Sequence, residues 1–251
     1  MRDFIIKKLY SFSWSTTGFL VVFLLWSILA RDYNTLILPS PGETWTALQD
    51  IYMSGDLFTN LIITVKRTLI GFSLAVMTGI VMAIMLNKSR KLKLILRPLI
   101  TVIQTTPPVI WLALAVIWFG IAEDITPVFL IFIVTFPVIF INIFEGLQNL
   151  DRKLVEMAQL YSASRKQIYF EIYFPALIPY LISSMSVGLA FAWKSSIFAE
   201  FIGSSSGVGF ALSMANNNLE TPKLYAWALV LVSLMLIIEY LIFRPLQRKV
   251  T

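Results

Sequence analysis

The stretch Asp151–Pro175 reads DRKLVEMAQLYSASRKQIYFEIYFP, and it determines how the rest of the chain is interpreted. Its charged part, residues 151–171, separates two long apolar runs, Ile125–Phe144 and Ile172–Trp193. A helix rises about 1.5 Å per residue, so roughly 20 apolar residues are enough to cross the hydrocarbon core of a bilayer. The segment is therefore predicted to be a water-exposed loop between two membrane spans.

The composition supports a membrane protein. Of the 251 residues 58% are hydrophobic and 14% are charged, and the mean hydropathy is +0.80. A soluble domain of this size cannot bury so much apolar surface. We predict an all-α membrane protein, one domain over residues 1–251, with six transmembrane helices at the runs with few or no charges: Leu9–Ala30, Thr68–Asn87, Pro98–Ala122, Ile125–Phe144, Ile172–Trp193 and Leu224–Ile238.

Basic residues predict the orientation. Most of the 20 lysines and arginines fall on alternate connections, where the positive-inside rule expects the cytoplasm. Both termini, residues 88–97 and residues 151–171 are therefore expected to be cytoplasmic. Lys66 and Arg67 fit less cleanly, and a helix that begins near Leu57 would place them at the outer interface. The first span is interpreted as an uncleaved anchor, because Ile28 suits a signal-peptide cleavage site poorly.

Two further segments do not have the character of ordinary spans. Phe201–Leu219 is free of charge but polar and rich in glycine, so we expect an external loop or a partial helix. Gln104-Thr-Thr-Pro-Pro108 interrupts the third run with two prolines, which remove backbone donors and bend or stop a helix. Irregular backbone at membrane depth survives where it is buried in protein or faces a wet cavity. Pathway lining by Gln104, Thr105 and Thr106 is predicted, with a structural kink as the alternative.

The loop after the fourth span resembles a known motif. Glu156-Met157-Ala158, followed by Ser162, Ile172, Phe174 and Pro175, has the spacing of the cytoplasmic signature of ATP-binding-cassette importer permeases. That signature reads Glu-Ala-Ala, three residues, Gly, nine residues, Ile, one residue, Leu-Pro. The residues that match it in type are Glu156, Ala158, Ile172 and Pro175, while those that depart from it are Met157, Ser162 and Phe174.

This resemblance implies a type I importer permease fold and a homodimer, with further partners on both sides of the bilayer. The partners are two cytoplasmic ATPase subunits, which bind ATP and Mg, and an extracytoplasmic solute-binding protein. The chain itself would be no enzyme and bind no cofactor. It would lie in the bacterial cytoplasmic membrane as a multi-pass protein, with no nucleic-acid partner.

By the same resemblance, residues 151–171 couple the permease to the ATPase. Glu156 would pair with a basic residue of the ATPase, and an apolar face at Ala158, Leu160, Tyr161 and Ala163 would dock. Glycine tolerates a positive φ more readily than serine, so Ser162 predicts a somewhat different turn. The residues alone also allow an ordinary solvated loop. The coupling candidates are Glu156, Ala158, Ser162, Arg165, Ile172 and Pro175.

The transported solute has weaker indications. The segment Leu38–Leu48, LPSPGETWTAL, resembles permeases of the sulfonate, taurine and nitrate group, which favours a small anion. A vitamin precursor such as a pyrimidine is the alternative. A secondary transporter without ATPases is less favoured, because inverted repeats and paired intramembrane carboxylates are not found in the sequence. A membrane-embedded enzyme is disfavoured, since the chain contains no His and no Cys.

Ionisable residues within spans are candidates for the pathway, because charge inside a bilayer is costly and usually functional. Lys194 is predicted to face a cavity or an acidic partner, and an unpaired ammonium would attract an anion. Glu200 is expected to cap the turn at Gly203 or to shape the outer gate. Glu239 lies close to Arg244 in sequence and is interpreted as structural.

Small residues recur every fourth position in two spans and predict close helix packing in the bilayer. One face belongs to the second span and the other to the fifth: Gly71, Ala75, Gly79 and Ala83, and Ser184, Gly188, Ala192 and Ser196.

Overall fold

The fold is helical throughout its described parts. A computed structural model describes residues 2–121, 124–238 and 240, with the side chains of residues 2–16 and 152 outside the description. Glu239 therefore lies outside the described residues. The helices are α1 (Arg2–Asp32), α2 (Pro41–Met53), α3 (Asp56–Lys88), α4 (Arg90–Thr105), α5 (Pro108–Phe119), α6 (Ile125–Gln148), α7 (Arg152–Leu160), α8 (Arg165–Gln167), a π-helical segment (Ile168–Tyr173), α9 (Phe174–Gly203), α10 (Val208–Asn217) and α11 (Thr221–Ile238).

Among the described residues, four continuous helical stretches are long and apolar enough to cross a membrane: α3, α6, Arg165–Gly203 and α11. The pair α4 and α5 passes the same test together but is bent by 97°, so it is one broken span or a re-entrant pair. That gives four or five candidate spans, against the six predicted. Helix α1 contains the first predicted run, Leu9–Ala30, and α3 begins at Asp56, which confirms the expected start near Leu57.

The bend between α4 and α5 has a local cause. Helix α4 ends at Thr105 and α5 begins at Pro108, with Pro107 at its N-cap. Neither proline can donate a backbone hydrogen bond, so the helical pattern stops before them. The prediction that this segment bends or stops the helix is confirmed. The partial helix predicted within Phe201–Leu219 is also confirmed, because α9 ends at Gly203 and α10 follows from Val208.

Contacts divide the chain into two compact units. The first combines Met1–Leu57 with Leu212–Val230. Within it the Trp26 Nε1–H donates to the Pro39 carbonyl (2.9 Å), and the Trp26 ring stacks on Tyr225 with centroids 6.0 Å apart. Helix α2 begins with a capping box, in which Ser40 and Glu43 bond each other reciprocally. Hydrogen bonds from Ser40 lower the pKa of the exposed Glu43 carboxyl.

The second unit combines Phe58–Ala211 with Leu231–Thr251, and its core surrounds α6. Gly71 of α3 packs against Ile131, and Gly79 packs against Ile139. Gly188 of α9 packs against Ile139 from the other side. A methyl group at any of these glycines would overlap the side chains of α6. Both predicted small-residue faces are fully buried, which confirms close helix packing.

Candidate functional site

The 151–175 segment is built from short, locally capped helices. The Asp151 carboxylate accepts the Lys153 N–H (2.9 Å), which caps the start of α7. The helix ends where the Ala163 N–H donates to the Ala158 carbonyl (2.9 Å). Ser164 and Gln167 then form a capping box that starts α8. Local hydrogen bonds therefore define both helix starts.

Ser162 forms the turn at the end of α7. Its φ is +58°, in the left-handed region that favours glycine, and its N–H donates to the Gln159 carbonyl (2.9 Å). Serine therefore adopts here a conformation that glycine adopts more readily, and the expected difference from the family's turn stays a prediction. A left-handed non-glycine residue costs about 1–2 kcal/mol. The tight turn after α7 therefore persists with some backbone strain.

A π-helical turn links α8 to α9. In it the Phe174 N–H donates to the Tyr169 carbonyl, five residues back. Pro175 comes directly after this turn, and a proline ring crowds the carbonyl four residues before it. The wider π turn accommodates that ring, so the helix continues from Arg165 to Gly203 without a break. Single π turns are frequent at functional sites.

Large apolar side chains are exposed at the end of α7. Leu160 is 84% exposed and Tyr161 is 83% exposed, although both lie in a charged loop. Glu156, Arg165 and Lys166 are exposed beside them, while Ala158 and Ala163 are half-buried. Adjacent exposed apolar residues rimmed by charge are typical of protein contact sites. We therefore take Leu160 and Tyr161 as the contact point of this loop.

The structure brings part of the predicted coupling set together around one groove. Ala158, Ile172 and Pro175 line a cavity of about 490 Å³ between α7, the end of α6 and the start of α9. The apolar lining of this cavity also includes Met157 and Tyr180. Glu156, Ser162 and Arg165 are exposed and are not among the lining residues. The exposed charges of Glu156 and Arg165 therefore lie outside this groove.

The predicted pathway residues lie at the end of α4 and on α9. Gln104 and Thr105 are exposed at the α4–α5 bend, and Thr106 is half-buried with its hydroxyl donating to the Val102 carbonyl (2.7 Å). Lys194 is exposed on α9. Within the described part of the chain it makes no ion pair, so the acidic partner that the sequence allowed is not found there.

Glu200 has a different environment from the one expected. It is 0% exposed, and Arg67 Nη1 donates to its Oε1 (3.1 Å). The Thr64 hydroxyl (2.7 Å) and the Gly209 N–H (3.0 Å) donate to its Oε2. The predicted cap at Gly203 is wrong, because the carboxylate caps the start of α10 instead. In this conformation the Glu200 carboxylate lies in an ion-pair cluster with Arg67.

Arg67 is the centre of this cluster and is 2% exposed, so its side chain is buried within the protein, and its expected level at the outer interface stays a prediction. Its Nε donates to Asp124 Oδ1 (2.7 Å), and its Nη1 and Nη2 donate to the carbonyl and hydroxyl of Ser206 (2.7 and 2.9 Å). All three nitrogens therefore have partners. A buried charge is tolerated only when it is paired and hydrogen-bonded in this way.

Two glycines allow α10 to approach the cluster. Gly207 has a φ of +101°, and a Cβ there would collide with the Glu200 carboxylate. A Cβ on Gly209 would collide with the Ile197 carbonyl and with Glu200. The first N–H groups of a helix have no partner within the helix, and here they bond to Asn60, Thr64 and Glu200. A signal for this arrangement was present, since Arg67 and Glu200 are opposite charges near or within spans.

Comparisons with known proteins show the family of this chain. Residues 75–250 match the family described as the binding-protein-dependent transport system inner membrane component. The chain is 32% identical over 202 residues to the putative aliphatic sulfonates transport permease protein of Escherichia coli (strain K12), covering 80% of this chain and 76% of the relative. It is 29% identical over 223 residues to the taurine transport system permease protein of the same strain, covering 87% and 80%.

A solved structure shares the fold. A crystal structure of an amino acid ABC transporter with histidines superposes with a TM-score of 0.66 at 20% identity, covering 80% of this chain and 97% of that one. The family match covers the 151–175 segment and Glu200 of α9 and begins after Arg67 and Gly71 of α3. The chain therefore belongs to the family of binding-protein-dependent transport system inner membrane components.

Proposed function

We propose that this chain forms the translocation pathway of an ATP-driven importer and that its solute is a small anion. The observation that carries the proposal is the exposed Leu160–Tyr161 pair beside Glu156, in a loop with the spacing of the permease signature. A family member of this kind is the membrane component, and ATP is hydrolysed on separate subunits. A secondary transporter or a membrane-embedded enzyme does not fit that family.

The proposed assembly is a homodimer of this chain with two cytoplasmic ATPase subunits and an extracytoplasmic solute-binding protein. ATP and Mg bind to the ATPases, and this chain binds no cofactor. Closure of the ATPase pair moves residues 151–171, and the pathway opens outward to receive solute from the docked binding protein. Hydrolysis then returns the pathway to the inward-open state.

The anion is supported by the sulfonate and taurine relatives. Nitrate is a further candidate from the Leu38–Leu48 resemblance, and a pyrimidine-like vitamin precursor is the alternative. Lys194 adds a physical reason, because an exposed ammonium on a span helix is costly unless it faces water, charge or a polar partner. In a homodimer pathway it would attract the anionic group of a solute, such as the sulfonate of taurine or ethanesulfonate.

We expect Lys194→Met to lower the uptake of taurine or ethanesulfonate by about tenfold, a loss typical of one charge-assisted contact worth roughly 1.4 kcal/mol. Uptake per folded molecule and thermal stability in detergent are measured together. Lys166→Met, which removes an exposed charge in the loop, is the control for net charge. Lost stability with unchanged uptake per folded molecule would refute the pathway role of Lys194. Failure of the wild type to import either sulfonate would refute the proposed solute.

The proposed topology has six spans, one per charge-poor run, with both termini, residues 88–97 and residues 151–171 in the cytoplasm. The chain contains no cysteine, so single cysteines give a clean labelling assay. A cysteine at Gln159, which is exposed on α7, should react with a membrane-impermeant maleimide only after the cells are opened. A cysteine at Asn218 should react in intact cells. Labelling of position 159 from outside would reverse the orientation.

A further inference from the structure

Two adjoining cavities lie behind the π-helical turn, where α3, α6 and α9 meet. The first, about 310 Å³, is an apolar groove with the aromatic residues Tyr169, Phe170, Tyr173 and Phe174 along one side and Lys88 at its edge. The second, about 330 Å³, is mostly polar and is lined by Lys93. Asn87, Leu147 and Tyr173 belong to both linings, so the two cavities adjoin and together form an amphipathic site. Each lies within the usual size range of ligand pockets, roughly 300–1,000 Å³.

Aromatic rings position the two lysines of this site. The Lys88 Nζ lies 6.0 Å from the centre of the Tyr169 ring, and the Lys93 Nζ lies 5.1 Å from the centre of the Phe144 ring. Cation–π contacts at these distances orient an ammonium group without neutralising its charge. Within the described part of the chain neither lysine makes an ion pair. Both positive charges are therefore available to a ligand.

The stretch of sequence that carries Lys88 and Lys93 is basic. Between Leu57 and Ala122 the chain contains no acidic residue, while five basic residues lie between 88 and 97. The acid on the π-helical turn, Glu171, lines the other groove, with Ile172 and Pro175, and not this one. An apolar groove beside a polar, cationic pocket is complementary to an anionic amphiphile, which has an apolar tail and a negatively charged headgroup. Clusters of basic residues at the cytoplasmic boundary of a membrane attract anionic lipid headgroups.

We propose that this site binds an anionic phospholipid of the cytoplasmic leaflet, with one acyl chain in the aromatic groove and the headgroup phosphate between Lys88 and Lys93. The inference rests on the cytoplasmic orientation given above but not on the identity of the solute. Ile168–Tyr173 form the π-helical turn that leads into α9. A lipid held there contacts the turn between the loop and α9.

The test uses the full chain in phosphatidylcholine nanodiscs that contain a trace of phosphatidylglycerol with a photoreactive acyl chain. We expect crosslinks to concentrate on residues 169–177 and to be displaced by unlabelled phosphatidylglycerol. Each lysine near an anionic headgroup contributes about a factor of five, so Lys88→Gln with Lys93→Gln should weaken binding about 25-fold. The matched control, Arg90→Gln with Lys91→Gln, removes the same charge from exposed positions outside both linings and should leave binding nearly unchanged.

Four results would overturn the proposal. Equal crosslinking by photoreactive phosphatidylcholine would show that the groove takes any acyl chain. Competition by inorganic phosphate would show a phosphate site that does not need a lipid. Displacement of the lipid by added ATPase subunits would assign the surface to a protein contact. An equal loss in the matched control would reduce the effect to net charge. No transport is measured, so failed sulfonate uptake would not affect the outcome.

Discussion

Arg67→Met should destabilise the folded chain by about 3–5 kcal/mol, the usual cost when one partner of a buried ion pair is removed. The variant would leave the Glu200 carboxylate charged, 0% exposed and without its guanidinium. Asp124 loses the same partner at little cost, since its side chain is 66% exposed to water. Resistance to unfolding in detergent, measured by a denaturant titration, gives the loss directly.

Two comparisons separate this effect from a general one. Lys66→Met removes the neighbouring, exposed charge and should change stability by no more than about 0.5 kcal/mol. The double variant Arg67→Met with Glu200→Gln removes both charges, but the amide oxygen can still accept the Gly209 N–H. It should recover part of the lost stability, because no uncompensated charge remains. If Arg67→Met behaves like Lys66→Met, the cluster does not hold α3, α9 and α10 together.

Glu156→Ala should abolish most of the uptake while leaving the fold intact. Glu156 is exposed on α7 and has no ion pair within the described residues, so its removal should cost the fold no more than about 0.5 kcal/mol. If it pairs with a basic residue of the ATPase, truncation of a charge pair at that interface costs about 2 kcal/mol or more, roughly 30-fold in docking affinity. ATPase binding and uptake are measured on the same preparation.

Gln159→Ala is the matched control, because it truncates an exposed polar residue on the same short helix. It should bind the ATPase and support uptake at nearly the wild-type level. Normal uptake by Glu156→Ala, with ATP hydrolysis still stimulated by solute, would contradict the coupling role of this loop. A variant that loses both membrane insertion and ATPase docking would point to a folding role for Glu156.

Local sequence predicted the helices and the loop well, since their causes are local. The end of α4 and the start of α5 follow from the prolines at 107 and 108, and the two caps in the 151–167 segment follow from Asp151 and Ser164. The small-residue faces also follow from spacing alone, because every fourth residue lies on one side of a helix. The positive φ of Ser162 does not follow from spacing, since there the turn geometry outweighs the local preference of serine.

The charge cluster could not be predicted in the same way. Arg67 and Glu200 are separated by 133 positions in the chain, and their pairing depends on which helices lie side by side. The sequence allowed an acidic partner for Lys194 and indicated no partner for Arg67. The proposed lipid site could not be predicted for the same reason. Its lining comes from α3, α6, the π-helical turn and α9 together with Lys93 of α4.

By itself the sequence determined the membrane class, the helical segments and the resemblance of the 151–175 loop to the permease signature. These depend on apolar run length, proline and local capping, which act within a few residues. Only the tertiary structure decided that Glu200 is a buried partner of Arg67, that Ala158 and Pro175 share a groove, and that Lys88 and Lys93 border one site. The reason is physical. The thickness of the bilayer sets the length of the apolar segments along the chain, whereas the pairing of charges is set by close packing between helices that are distant in sequence.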